Sequence, residues 1–354
     1  MNNMNRLLIG MVMLLTSPGL RAGEATEYGM RDDLLPGGAG MAIKEKILFT
    51  TVGSEPLAKA KRLVAVDIKD PAAPRVLSFV DLKVFPQDLA VAGDTAFVVD
   101  GLRLFAIDIS NPVALRILSE TVIADRPENG PQGIALDGTD AYLACRKQGV
   151  VKVDVSRPEM PVVGTVVTTP FSRGVALHKT GDATYVVSAD DTRGVHVIRG
   201  NQLVASYPLA NGCAARVRVA GNRVYVANGG SFLTILSIAS NGSLTLVSEY
   251  VTLPDGIYYG SYAYDVLPVE NSALLLAGEN GVQVVDLSDP ARPVAAAAGS
   301  GKIPSAPLVR AAILDKGRLY VNAGTMDGQT LLVVMDATSL SAFKLVGESL
   351  NLSE

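Results

Sequence analysis

The sequence predicts an all-β fold, a seven-bladed β-propeller of four-stranded antiparallel blades, and three observations predict it. A short phrase recurs along the chain, strand-like segments follow one another with no amphipathic helix between them, and the recurrence spacing matches one blade. The clearest copy of the phrase runs from Val282 to Pro293 as Val-Gln-Val-Val-Asp-Leu-Ser-Asp-Pro-Ala-Arg-Pro. Earlier copies run from Leu63 to Pro74 and from Val150 to Pro161, with a shorter one from Leu104 to Pro112.

One unit shows the grammar of a blade. Gly133 to Leu136 reads as a short apolar strand, Asp137 to Asp140 as a turn, Ala141 to Cys145 as a second strand and Gly149 to Val155 as a third. Pro161 to Val167 supplies the fourth. The restarts are tracked by the Asp that ends the third strand: Asp67, Asp108, Asp154, Asp286 and Asp336, with Arg199 and Ser237 in its place in blades 4 and 5. Those seven marks give blades over residues 38–82, 83–125, 126–169, 170–210, 211–255, 256–302 and 303–350. Closing the ring removes sheet edges that would otherwise recruit other strands. The closing strand is expected from the arm before Gly38 or from the tail Leu350 to Glu354.

Two side-chain patterns support this register. Aromatics recur in the second strands as Phe97, Tyr142, Tyr225 and Tyr320, where each is expected to fill the space between neighbouring blades. The third-strand Asp is expected to accept backbone N–H groups just downstream in an Asx-turn, while the following Pro fixes φ. Where the Asp is lost, Gly200-Asn201 and Asn241-Gly242 offer hairpin turn chemistry instead.

The N-terminus has the features of an export signal. A short basic start ending at Arg6 precedes an apolar run from Leu7 to Leu15, a Ser-Pro-Gly break and then small residues. Residues 1–22 are therefore expected to be a signal peptide cleaved after Ala22, with Ala25 as the alternative. The run is about half of the roughly 20 residues a spanning helix needs, so no membrane span is expected. Residues 23–37 form a polar arm without periodicity, ahead of a propeller over 38–350. The mature protein is expected to be periplasmic or extracellular.

The formal charge of −4 argues against nucleic acid as a partner, because such partners select for basic surfaces. Only two cysteines and two histidines occur. Cys145 and Cys213 fall on blades 3 and 5, so a disulfide between them is not expected, and with so few soft ligands neither is a metal centre.

The phrase Val-x-Val-Val-Asp-x-Ser-x-Pro-x-x-Pro closely resembles the bacterial LVIVD repeat. Pro131 to Leu136 with Tyr142 to Ala144 is also similar to the NHL repeat. The resemblance is strong in blades 1, 2, 3 and 6 and weaker in blades 4, 5 and 7. It implies an exported or surface-associated binding or protein-interaction scaffold, with a protein or cell-envelope component as partner. It brings no catalytic residues and no cofactor. Trp is absent, which removes propellers built on Trp-containing repeats.

Candidate binding residues follow from the first strand of each blade, which lines a propeller's channel and opens at one mouth. Aligning these strands puts Gln87, Asp88, Gln132, Arg173, Arg216, Tyr264, Asp265 and Arg310 at that mouth. Arginines suit a small anionic ligand through two-point contacts, or plug the channel by pairing with local acids. Asp88 and Asp265 offer carboxylates for acid–base work or a metal, the basis of an alternative lactonase-like hydrolase reading. The segment around Tyr258, Tyr259 and Tyr262 concentrates aromatics in a chain otherwise poor in them and is a candidate partner surface.

Overall fold

Seven antiparallel blades of four strands, each following chain order, make up the β-propeller, and the sheet of blade 7 carries a short fifth strand. The computed structural model describes residues 39–53, 60–191, 193–209, 213–229, 232–251, 263–278, 281–296, 308–325, 327–340 and 342–354. The signal peptide and arm expected before Gly38, and Tyr258, Tyr259 and Tyr262, lie outside the described residues. Among the described residues no helix is long and apolar enough to cross a membrane.

Blade 1 shows the pattern, with strands Met41–Lys44, Ile47–Val52, Arg62–Asp67 and Arg75–Asp81. The innermost strands of the other blades are Asp88–Ala92, Gly133–Asp137, Gly174–Thr180, Cys213–Ala220, Asp265–Val269 and Leu308–Asp315. Each packs against the next in chain order, and the innermost strand of blade 7 returns to that of blade 1. The ring is closed.

Burial runs radially. In blade 2 every residue of Ala96–Val99 and Leu104–Ile107 is at most 2% exposed, because these strands are covered on both faces by neighbouring blades. That is why they read as continuous apolar runs. The outermost strands leave Val122, Val162 and Val166 exposed at the rim. In blades 1 to 5 the pairing of third and outermost strands shifts register at one point. Such a bulge twists the rim away from flat edge-to-edge pairing.

The second-strand aromatics do what their spacing predicts, and the pattern is wider than four residues. The third residue of the second strand is Phe49, Phe97, Tyr142, Tyr185, Tyr225, Leu274 and Tyr320 in blades 1 to 7. Each packs into the cluster shared with the following blade, and Tyr320 packs on blade 1. Burying one such side chain stabilises the fold by about 1.5–3 kcal/mol.

The Asx-turns form as expected. Asp67, Asp108, Asp154, Asp286 and Asp336 each accept the backbone N–H two residues on, at 2.8–3.0 Å. These turns also join blades. Ser78 Oγ donates to the Pro112 carbonyl at 2.8 Å, Ser119 Oγ to that of Pro158 at 2.5 Å and Ser248 Oγ to that of Pro290 at 2.7 Å. The outermost strand of one blade thus holds the proline turn of the next. Of the two candidate closing segments, the tail is described: Leu350–Asn351 pairs with Thr330–Asp336 in blade 7, and buried Leu352 joins the core between blades 7 and 1. No disulfide joins Cys145 and Cys213, and Cys145 is buried, which raises its thiol pKa.

Candidate functional site

The candidate site is the channel, where the innermost strands converge. On the blade 5 strand Cys213–Ala220, Ala215 is an extra residue in the pairing with the second strand, and Arg216 follows it. Arg216 Nη1 donates to Asp88 Oδ2 at 2.6 Å and Nη2 to the Gln87 carbonyl at 3.1 Å. Asp88 belongs to blade 2, so the side chain crosses blades 4 and 3 to reach it.

Glycines make that crossing possible. A Cβ on Gly174 would sit 3.2 Å from Arg216 Cα and 3.4 Å from its Cδ, and one on Gly133 would sit 3.2 Å from Nη1. The Asp88 carboxylate is filled by further donors: Ile134 N reaches Oδ2 at 3.2 Å and Leu89 N reaches Oδ1 at 2.9 Å. Only 14% of the Arg216 side chain and 17% of that of Asp88 is exposed. An ion pair so enclosed persists because extra hydrogen bonds offset part of its desolvation. It is a strut across the channel.

A second pair lies beside it. Arg218 grips Asp265 side-on, Nε to Oδ1 at 3.1 Å and Nη2 to Oδ2 at 2.5 Å, while Val266 N donates to Oδ1 at 2.8 Å. The carboxylate of Asp265 raises the guanidinium pKa further above its ordinary value. Sequence reasoning named Arg216 and missed Arg218, although a strand's period of two places both on one face. Asp88, Arg216 and Arg218 line a narrow pocket together with Met41 of blade 1 and Ala311 and Ala312 of blade 7.

The other candidates are placed as follows. Gln132, with its amide oriented to satisfy its neighbour, accepts from Arg146 Nη2 at 3.0 Å and Nε at 3.1 Å. Gln87 Nε2 donates to the Phe85 carbonyl at 3.2 Å. Arg173 lies 3.2 Å from Asp191 and places its guanidinium 5.2 Å from the Phe171 ring centre. Tyr264 is half-buried, its backbone N–H on the Leu276 carbonyl. Arg310 is the extra residue of the blade 7 bulge, between the paired Val309 and Ala311, and its side chain is buried. The bulge makes Ala311 the counterpart of Arg216. Among the described residues no three His, Cys, Asp or Glu side chains converge as metal ligands.

Comparison with known proteins agrees with this architecture. The LVIVD repeat family model matches residues 86–122, 131–169, 211–252 and 259–297. Those segments fall on blades 2, 3, 5 and 6, and they include blade 5, whose third strand ends without the Asp. A comparison with curated proteins finds no match. A crystal structure of a Lactobacillus plantarum protein superposes with a TM-score of 0.67 at 16% identity, covering 87% of this chain and 96% of that one. A hypothetical selenium-binding protein from Sulfolobus tokodaii gives 0.63 at 13% identity, covering 88% and 93%. Chaetomium thermophilum Sqt1, solved bound to the N-terminus of ribosomal protein L10, gives 0.59 at 14% identity, covering 89% of each chain. With four repeats matched in sequence and seven blades in space, the chain is a seven-bladed β-propeller that carries LVIVD repeats.

Proposed function

We propose that this protein is an exported scaffold that binds a protein or cell-envelope component through the outer surfaces of the propeller. The observation that carries the reading is the strut between Arg216 and Asp88, with Arg218 on Asp265 beside it. The two carboxylates that a channel hydrolase would use for a metal or for proton transfer are each held by a guanidinium and by backbone N–H groups. Pairing of this kind leaves both carboxylates occupied by fixed donors, which suits a rigid ring better than acid–base work.

Support of a coarser kind comes from Sqt1, which shares the fold and was solved with a peptide bound. The partner surface is proposed at Tyr258, Tyr259 and Tyr262, on the strength of their aromatic density in the sequence. The test is affinity capture from the envelope of the exporting cell with the wild type and a Tyr258→Ala, Tyr259→Ala variant. Loss of a captured protein with an unchanged melting temperature supports the surface. A large fall in melting temperature with capture intact contradicts it.

A further inference from the structure

Blade 4 carries a file of polar side chains that neither the channel nor the partner surface uses. His196, on the third strand Gly194–Arg199, pairs in register with Ser188 on the second strand and Ser206 on the outermost. These residues alternate with the set facing blade 5, and their neighbours Val186 and Ile198 pack on Ala144 and Val150 of blade 3. His196 Nδ1 meets Ser206 Oγ at 2.7 Å. On the other side of the ring, Nε2 lies 3.8 Å from Asp190 Oδ2. His196 is 8% exposed and Asp190 0%, whereas Ser206 faces solvent.

The surroundings of the ring favour one tautomer. Asp190 Oδ2 and His196 Nε2 are buried with no hydrogen bond at ordinary distance among the described residues, and the buried Thr169 hydroxyl, unmatched in the same way, also bears on the Asp190 carboxylate. The other oxygen of Asp190 is held by the backbone N–H of Phe171. A proton on Nε2 aimed at the carboxylate answers both atoms, and it leaves the Nδ1 lone pair to accept from the Ser206 hydroxyl. Burial lowers the imidazole pKa, with Asp190 acting in the opposite sense, so the ring is held towards its neutral, basic form. The hydroxyl of an exposed serine on a buried base, with a buried acid facing the base's other nitrogen, is the kind of arrangement that activates a serine.

We infer that Ser206 is a nucleophile for acyl transfer, with His196 as its general base, Asp190 as the positioning residue and activated esters of small carboxylic acids as the substrate class. Ser206 Oγ attacks the ester carbonyl carbon as its proton moves to His196 Nδ1. The bond to the leaving alcohol breaks, that alcohol takes the proton from Nδ1, and the acyl group stays on Ser206. Because Ser206 faces water, water solvates the oxyanion. The expected result is one stable acylation and not rapid turnover.

The experiment treats the full chain with p-nitrophenyl acetate and, separately, with a fluorophosphonate, and maps the label by peptide mass. Expected is one label per chain on Ser206, absent in Ser206→Ala at unchanged melting temperature. The labelling rate should fall about 10²–10⁴-fold in His196→Gln. Asp190→Asn should slow it less than that. The wild-type pH profile is an independent readout that does not require His196→Gln to fold. The rate should climb as an imidazole deprotonates below the ordinary histidine value and then level off. Label scattered over other side chains, a flat profile, or equal labelling in folded His196→Gln would overturn the assignment.

Discussion

Asn322 of blade 7 donates to Thr50 of blade 1, its Nδ2 lying 2.8 Å from the threonine Oγ1 across 272 residues of chain. The same amide nitrogen reaches the Thr51 carbonyl at 2.8 Å, and the Thr50 hydroxyl passes its own proton to the Gly40 carbonyl at 3.1 Å. Asn322 is 1% exposed and Thr50 0%, so no water replaces a lost partner. The joint between the first and last blades is thus a polar latch beside the apolar cluster that includes Tyr320 and Leu352. Asn322→Ala should cost about 1–3 kcal/mol, the penalty of leaving buried acceptors unmatched. Urea unfolding checks this, and a change below about 0.5 kcal/mol would remove the latch from the account.

Gly174 tests whether Arg216 really crosses the ring. A Val side chain there would fill the path of the guanidinium, since even a Cβ would sit 3.4 Å from Arg216 Cδ. Gly174→Val should destabilise by at least about 1–3 kcal/mol through overpacking, and a crystal structure should show Arg216 lifted away from Asp88. Arg216 still seated on Asp88 at full stability would contradict the path.

The turn aspartates predict an acid limb. Ser110 side-chain and backbone hydrogen bonds, then Arg116, hold the Asp108 carboxyl down at about 2 against an ordinary 3.8. Asp67, Asp154, Asp286 and Asp336 shift the same way, through hydrogen bonds from Lys69, Ser156, Ser288 and Thr338. A carboxyl depressed in the folded state contributes stability that is complete above its unfolded value and is lost as pH falls through the folded one. Stability should therefore drop between about pH 4 and pH 2. Asp100, which burial pushes up, works in the opposite sense, so the informative measurement is differential. Asp108→Asn should show a shallower slope than the wild type in that window, by urea titration at each pH. Parallel slopes would contradict the assignment.

Most of the fold was legible because a blade advertises itself in two ways: a strand buried on both faces, and a turn needing one kind of side chain. The aromatic at the third position of each second strand was visible in four blades. Phe49, Tyr185 and Leu274 complete the series, and Leu escaped notice because it marks the position without being aromatic. The site was less legible. Asp88 and Arg216 were both named as candidates, but nothing in one dimension says that a side chain on blade 5 lies across two glycines to blade 2. Bulges set the other limit. One extra residue at Arg310 shifts the alignment of blade 7 by a position, and Ala311 and Ala312 line the pocket there. The trio on blade 4 was hidden for a third reason, because its members sit on three strands with no local motif to announce them.

The central claim is that Asp88 and Arg216 act as one unit, bracing the channel and withdrawing both charges from chemistry. A double-mutant cycle with Asp88→Asn, Arg216→Gln and the pair, followed by urea unfolding, measures this directly. Either single change should cost about 3–5 kcal/mol by stranding a buried charge, and the pair should cost much less than the sum. Two effects that simply add, each below about 1 kcal/mol, would show that the strut does not brace the ring.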